Sequence, residues 1–148
     1  MKAYSSYIQY VANQVKTVQF MCLDEIYTYI GDKNNKYYVW TGIAWTNEGQ
    51  KLGFFYLSKT KTYADLVAFD KTLPQADKVY TDNNPTYQML YGSRNIAQKG
   101  VKTNLIESLN SQLRQFTSYL RRKFKGYAKN SQMFEQTLAK IFITKIIN

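Results

Sequence analysis

A long run of β-forming residues, Val18–Ile30, constrains the fold more than any other feature of the sequence. It reads VQFMCLDEIYTYI and is followed at once by the turn-like Gly31–Asn35, so it predicts a strand that enters the core. Asp24 lies near the middle of this run, where an ionised carboxylate without a partner would be costly to desolvate. A neighbouring group or ion is needed to offset the cost of burying its negative charge, unless the strand ends sooner. A strand that ends sooner, a salt bridge to a lysine and a metal ion are the possibilities that the sequence leaves open.

This strand begins a regular succession of elements. Two further β-rich segments follow, separated by a short hairpin connection, which predicts three strands in meander order. Apolar residues at helical spacing, closed by Pro74, then predict a helix that covers one face of the sheet. A short fourth strand after the helix makes the fold class α/β. The predicted ranges are Tyr37–Thr46 and Leu52–Ser58 for the second and third strands, Thr62–Leu73 for the helix, with Thr62 as cap and Asp65 at its third position, and Asp77–Thr81 for the fourth strand.

The rest of the chain is predicted to be mostly helical. Tyr87–Tyr91 indicates one helical turn, and a loop through Gly92 and Gly100 follows it. Apolar residues at steps of three or four predict a long helix from Asn104 and a final helix from Ser131. We expect residues 1–17 to be a linker or a partly ordered arm. Residues 18–148 are expected to form one domain, a mixed five-stranded sheet flanked by helices, with a basic helical C-terminal region.

Composition excludes several kinds of site. The chain has no histidine and a single cysteine, Cys22, which excludes zinc sites built on Cys and His ligands and also Ser-His and Cys-His catalysis. Carboxylates are therefore the main candidates for metal chemistry. No uncharged apolar stretch of about 18 residues is present, and the first residues lack the apolar centre of a secretory signal. We expect a cytoplasmic protein that associates with the nucleoid and not with a membrane.

Positive charge is concentrated in the last third of the chain. The net charge is +10; residues 1–93 hold 9 Lys/Arg against 8 Asp/Glu, whereas residues 94–148 hold 11 against 2. Such a basic segment suggests a polyanionic partner, nucleic acid first and an anionic membrane surface second. A solvated, solubilising helix face would give the same count.

Two more carboxylates stand at positions suited to chemistry. Asp82 follows the fourth strand, and loops just past strand ends are favoured positions for ligands in α/β folds. An Asx turn before Pro85 explains it equally well. Glu107 lies near the start of the long helix and could instead belong to a capping box with Asn104. The order of the three acids, in the first strand, after the fourth strand and on the next long helix, is the pattern of the RNase H-like fold.

Three segments resemble the insertion-sequence-1, or InsB-type, DDE transposases of prokaryotic mobile elements. They are LDEIYTYIG (23–31), VYTDNNPTY (79–87) and TNLIESLNSQLRQFTSYLRRKFKGYAKNS (103–131), and the resemblance extends from Leu23 to the C-terminus. It implies DNA transposition and recombination, with Asp24 rather than Glu25, Asp82 and Glu107 as catalytic residues and metal ligands. It also implies two Mg²⁺ ions, for which Mn²⁺ can substitute, and a basic residue at Arg114.

Double-stranded DNA, at the element ends and at the target, is the partner that this resemblance implies. A homodimer or larger assembly would bring two ends together. The family also carries a zinc-finger and helix-turn-helix region, which a fusion or a partner chain would have to supply here. The residues expected to contact DNA are Asn110, Arg114, Arg121, Arg122, Lys123 and Lys125 on the helix and Lys99 and Lys102 in the loop before it.

Two other functions fit the same features. One is another RNase H-like nuclease, and the other is a nucleic-acid-binding domain without catalysis, in which the carboxylates are structural or left from a decayed element. Geometry separates them, because carboxylates that converge within reach of shared metal ions favour catalysis.

Overall fold

The computed structural model describes residues 17–29, 34–46, 51–82 and 84–96, together with residues 107, 110, 111, 114 and 115. Residues 1–16 of the predicted N-terminal arm, the loop that carries Lys99 and Lys102, and the chain after residue 115 lie outside this part, whereas Thr17, the last residue of the predicted arm, belongs to the first strand because it pairs with Gln75. The ranges up to residue 96 contain β1 (Thr17–Tyr29), β2 (Lys36–Trp45), β3 (Lys51–Ser58), α1 (Tyr63–Asp70), β4 (Gln75–Tyr80), α2 (Pro85–Tyr91), a 3-10 helix (Gly92–Arg94) and β5 (Asn95–Ile96).

The strands form one mixed sheet in the order β3-β2-β1-β4-β5, with β1 at the centre. β2 is antiparallel to both β1 and β3, whereas β4 is parallel to β1 and β5 is parallel to β4. The predicted meander and the five-stranded α/β sheet are thus confirmed. Each of the four predicted strands is found within two residues of its expected start and end.

The segment after α2 differs from the sequence prediction. A loop is expected after Gly92, but the chain forms the 3-10 helix and then β5, whose Asn95 and Ile96 pair with Val79 and Tyr80. A strand of two residues is too short for alternation of apolar and polar residues to reveal it. Its pairing with β4 completes the sheet on that side.

Both helices begin at side-chain caps. The Thr62 hydroxyl accepts a hydrogen bond from the Asp65 amide at 3.3 Å, and the Asp65 carboxylate accepts one from the Thr62 amide at 2.9 Å, which is the predicted capping box. The Asn84 side chain caps α2 by accepting from the Thr86 amide at 3.0 Å, with Pro85 at the first helical position. α1 ends before the predicted Leu73, because the Leu73 amide bonds the Asp70 carbonyl, three residues back, in a tight turn.

The centre of the sheet is buried on both faces. Side chains alternate along β1, so Leu23 and Glu25 lie on one face while Cys22 and Asp24 lie on the other. The first face packs against α1 and α2 around Leu23, Trp40, Phe54, Leu66, Phe69, Tyr87 and Tyr91. On the second face Cys22, Val39 and Thr41 are fully buried, and the side chain of Asn110 bonds Thr41 there.

All five described residues between 107 and 115 are helical, in agreement with the long helix predicted from Asn104. Within the described ranges, no helix is long and apolar enough to cross a membrane.

The core around Gly42 leaves little room for a side chain. It pairs with Leu23 of β1, and a Cβ atom added there would lie 2.8 Å from Leu23 Cδ2 and 3.4 Å from Phe69 Cζ. We expect Gly42→Ala to lower the free energy of unfolding by about 1–3 kcal/mol, because overpacking forces buried side chains out of their rotamers. Urea denaturation measures the change. In a Leu23→Ala background the same substitution should be much milder, and an equal loss there would show that this contact is not the cause.

Candidate functional site

Parallel pairing of β1 with β4 brings two aspartates to the same level of the sheet. Cys22 of β1 pairs with Tyr80 of β4, and Asp24 and Asp82 each lie two residues further along the chain. This register brings the two carboxylates together where β4 ends and its loop begins, while β1 continues to Tyr29. Asp24 is half-buried on its strand, and Asp82 is exposed in the loop.

Glu25 joins these two aspartates. Asp24, Glu25 and Asp82 each offer one carboxylate oxygen, and the three oxygens lie within 4.8 Å of one another. We call these three residues the acidic group. Consecutive residues of a strand point to opposite faces, so Asp24 and Glu25 approach Asp82 from the two sides of β1. An all-oxygen donor set of this kind is what hard divalent cations prefer, and the acidic group could hold a metal ion.

Neutral donors hold the Asp24 carboxylate. The Glu25 amide donates to Oδ1 at 2.8 Å, and the Asn110 side-chain amide donates to Oδ2 at 2.8 Å. Asn110 is only 1% exposed, and its own Oδ1 accepts a hydrogen bond from the Thr41 hydroxyl at 2.8 Å. In the part of the chain that the structure describes, the groups that bond this carboxylate are therefore amides rather than cations.

The pKa of Asp24 is raised to about 6, chiefly by desolvation, and the nearby negative charges of Glu25 and Asp82 contribute to this rise. The hydrogen bonds from the Glu25 amide and Asn110 oppose this shift without cancelling it. The folded protein therefore holds an ionised Asp24 at neutral pH against its surroundings. A bound cation at this position would relieve both the desolvation and the repulsion.

Glu25 is compensated in a different way. Its carboxylate, 4% exposed, forms an ion pair with Lys61 at 2.7 Å from Oε1. The same oxygen accepts from the Asn84 side chain at 3.4 Å, and Oε2 accepts from the buried Tyr87 hydroxyl. The hydrogen bond with Glu25 in turn raises the pKa of Lys61, and burial is the main reason that the pKa of Tyr87 is raised. Glu25 thus ties β1 to the residue before the α1 cap and to α2.

Asp82 takes part in the turn that leads into α2. Its Oδ1 accepts a hydrogen bond from the Asn84 backbone amide at 2.9 Å, which is the Asx turn that the sequence offers as an alternative explanation. Asp82 therefore closes this turn and also belongs to the acidic group.

Of the three predicted ligands, the structure brings Asp24 and Asp82 together. Glu107 is helical and exposed, and among the described residues the grouped carboxylates are those of Asp24, Glu25 and Asp82. Asn110, predicted as a DNA contact, is buried and bonds two protein groups, so in this structure its side chain is not accessible to DNA. Arg114 is helical and exposed. The other predicted DNA-binding residues, Lys99, Lys102, Arg121, Arg122, Lys123 and Lys125, lie outside the described residues.

Sequence reasoning misses the roles of three polar residues of the site. Thr41 and Lys61 reach it only through strand pairing and loop geometry, for which the sequence gives no signal. Asn110 is predicted to contact DNA because it lies beside a stripe of arginines on the predicted helix. The consecutive Asp24-Glu25 pair is the one signal that a second carboxylate stands nearby.

The charge of Asp24 should make the protein less stable at neutral pH. Because its folded pKa, about 6, lies above the unfolded value of 3.8, the folded state binds the proton more tightly. The free energy of unfolding should therefore fall as pH rises between these two values and stay low above them. Asp24→Asn should raise the melting temperature at pH above about 7 in the presence of a chelator, and this advantage should vanish below about pH 4. A pH series of thermal melts measures both.

Lys61→Met should have the opposite effect, because it leaves the buried Glu25 carboxylate without its cation. Lys59→Met is the matched control, since that lysine contacts Tyr37 and Asn35 rather than the acidic group.

The Asp24 prediction has its own contradicting outcome. If Asp24→Asn lowers the melting temperature at neutral pH, the ionised Asp24 carboxylate stabilises the fold, contrary to our inference.

Comparisons with known proteins add little to this geometry. No family model matches the chain, and no curated protein does. Among solved structures, a crystal structure of NurA bound to dAMP and manganese aligns with a TM-score of 0.22 and 13% identity, over 97% of this chain and 42% of that one. A second NurA crystal structure aligns with a TM-score of 0.21 and 12% identity, over 96% and 44%. The chain thus spans less than half the length of either, and TM-scores this low do not establish a shared fold.

Proposed function

We propose that this chain is the catalytic domain of a DDE transposase of the insertion-sequence-1 type, which cuts DNA at the ends of a mobile element and joins the freed ends to target DNA. The proposal rests on the proximity of two carboxylates, Asp24 within β1 and Asp82 just past the end of β4. The order of these residues in the sequence predicts them as ligands without any knowledge of the distance between them. Their convergence is the outcome that favours catalysis.

The order of elements supports an RNase H-like fold. Three meander strands, a helix and a fourth strand beside the first are what this fold requires, and β1 holds the central place that the first acidic residue needs. The third acid is expected on the next long helix. Asn110, three residues after Glu107, contacts Asp24, so the segment that carries Glu107 reaches the site.

Asp24, Asp82 and Glu107 are the ligands we assign to the metal. We do not assign Glu25 to that role, because Lys61, Asn84 and Tyr87 already bond its two oxygens. Two Mg²⁺ or Mn²⁺ ions held by these carboxylates would activate an attacking oxygen and stabilise a leaving oxygen in phosphodiester displacement. With no histidine in the chain, the carboxylates are the residues that can hold these ions.

Duplex DNA is the proposed substrate, and the basic third of the chain is proposed to bind its phosphates. The helix that carries Arg114 reaches the acidic group through Asn110, which would place bound phosphates beside the carboxylates. End recognition would come from a zinc-finger and helix-turn-helix module in a fusion or a partner chain. Pairing of two ends would require at least a dimer.

A nucleic-acid-binding domain without catalysis is the second candidate. Two observations favour it. Lys61, Asn84 and Tyr87 all bond the Glu25 carboxylate, and Asp82 closes an Asx turn. Each of these carboxylates thus has a use that needs no metal. In that case the basic segment would bind DNA while the acidic group only shaped the loop before α2.

Strand cleavage distinguishes the two candidates and identifies the third ligand. Asp24→Asn, Asp82→Asn and Glu107→Gln should each abolish Mg²⁺-dependent cleavage of element-end duplexes while DNA binding persists, because each removes a ligand and not a core contact. Glu25→Gln should retain cleavage within about tenfold, assayed below its melting temperature, since its partners are structural. Loss of cleavage in Glu25→Gln with retention in Glu107→Gln would make Glu25 the third ligand.

Salt dependence tests the basic segment separately from catalysis. For duplex DNA, the slope of log affinity against log salt should decrease in magnitude by about 0.9 for every phosphate that a variant no longer neutralises. Arg121→Ala and Arg122→Ala should therefore weaken binding to all sequences alike. Lys51→Ala, an exposed lysine of β3 outside the basic third, is the matched control and should leave the slope unchanged. Unchanged affinity of the arginine variants at low salt would mean that this run is a solvated helix face.

A further inference from the structure

We propose that Asn110 is a positioning residue, which fixes the Asp24 carboxylate in one orientation and holds the helix of Glu107 and Arg114 against it. This inference rests on the proposed function in one respect, because it takes Asp24 as a metal ligand. The inference goes further by assigning a role to a residue expected only to contact DNA. It also gives a role to the hydrogen bond that joins Asp24 and Asn110, which lie far apart in the sequence.

The hydrogen-bond network allows a single orientation of the Asn110 amide. The Thr41 hydroxyl has one proton to donate, and it lies 2.8 Å from Asn110 Oδ1 but 3.2 Å from the Asp24 carbonyl oxygen. Because Asn110 Oδ1 faces this donor, its Nδ2 faces Asp24 Oδ2 at 2.8 Å. A flipped amide would set oxygen against a carboxylate oxygen. The carboxylate of Asp24, which can only accept, thus determines which end of Asn110 it meets, and the Thr41 hydroxyl satisfies the other end.

Strand register explains why Thr41 can do this. Thr41 pairs with Asp24 across the β1–β2 ladder, so the two side chains lie on the same face of the sheet. Both Thr41 and Asn110 are buried, at 0% and 1% exposure. A buried amide with both ends satisfied by protein has little freedom to rotate, and a fully satisfied buried network specifies a single arrangement.

A neutral donor suits a ligand better than a cation does. Lys61 offsets the charge of Glu25, whereas Asn110 binds one lone pair of Asp24 and leaves its negative charge intact. The Glu25 amide binds one lone pair of the other oxygen. A carboxylate has about four lone-pair sites, so the bonds from described residues leave one on each oxygen of Asp24 for a ligand. The orientation is fixed while the capacity to bind a cation remains.

The same bond fixes the position of the helix. On the long helix predicted from Asn104, Glu107 lies three residues before Asn110 and Arg114 four residues after it, and residues at these spacings share a face. The side chain of Asn110 bonds both β1 and β2. It therefore orients the first proposed ligand and links it to the helix that carries the third.

The test compares metal binding with stability in matched variants. Asn110→Leu removes the amide at similar volume, Thr41→Val removes the hydroxyl that bonds it, and Tyr91→Phe deletes a buried hydrogen bond to Asp70 away from the acidic group. Calorimetric titration with Mn²⁺ on each folded variant should give an affinity about 10–100-fold weaker for Asn110→Leu. The loss should be smaller for Thr41→Val, and Tyr91→Phe should bind as the wild type does. In cleavage assays kcat should fall in Asn110→Leu while KM for duplex DNA stays constant.

The outcomes separate this inference from the proposed function. Wild-type affinity for Mn²⁺ in both Asn110→Leu and Thr41→Val would overturn the positioning role, and Thr41→Val alone decides if Asn110→Leu does not fold. A further readout needs no metal: the side-chain amide protons of Asn110 should exchange slowly with solvent and lose that protection in Asp24→Ala. Fast exchange in the wild type would also overturn the role. Absence of Mn²⁺ binding and cleavage in the wild type, with slow exchange retained, would reject the proposed function and leave the Asn110–Asp24 bond established.

Discussion

The parallel pairing of β1 with β4 is the constraint on which the rest of the molecule depends. Two parallel strands cannot be joined by a tight turn, so β2, β3 and α1 all lie within the connection between them. This connection extends the sheet on one side of β1 and covers one of its faces. The pairing also fixes Asp24 level with Asp82, because each lies two residues past the paired Cys22 and Tyr80. The acidic group is therefore a consequence of topology, and no local motif could have assembled it.

Three carboxylates in one place repel one another, and the structure handles each differently. Lys61 neutralises Glu25, solvent surrounds much of Asp82, and Asp24 is half-buried with amides as its donors among the described residues. The raised pKa of Asp24 reflects its desolvation and the repulsion that remains. Strain held at one residue while its neighbours are compensated is typical of functional sites, where stability is lost for the sake of chemistry.

Much of the fold could be predicted because its signals are local. The β1 run, the meander and the Thr62–Asp65 capping box each depend on residues close together in sequence. β5 could not be predicted, since Asn95 and Ile96 become a strand only by pairing with β4. For the site, the order of Asp24 and Asp82 along the elements was sufficient to expect their meeting. The partners Thr41, Lys61 and Asn110 depend on register and on side-chain reach, which appear only when the chain is folded.

Asp24 is the residue that structural needs do not explain. Glu25 joins three elements through its ion pair and hydrogen bonds, and Asp82 closes a turn, so either would be useful in a domain without catalysis. At position 24 an asparagine would bring no charge into a half-buried site, and its carbonyl oxygen would accept one of the two hydrogen bonds that Glu25 and Asn110 donate to separate oxygens of Asp24. The chain carries the costlier residue, and Asn110 orients it without neutralising it. A negative charge held in a fixed direction beside Asp82 is of use to a cation, and this favours catalysis over a purely structural acidic group.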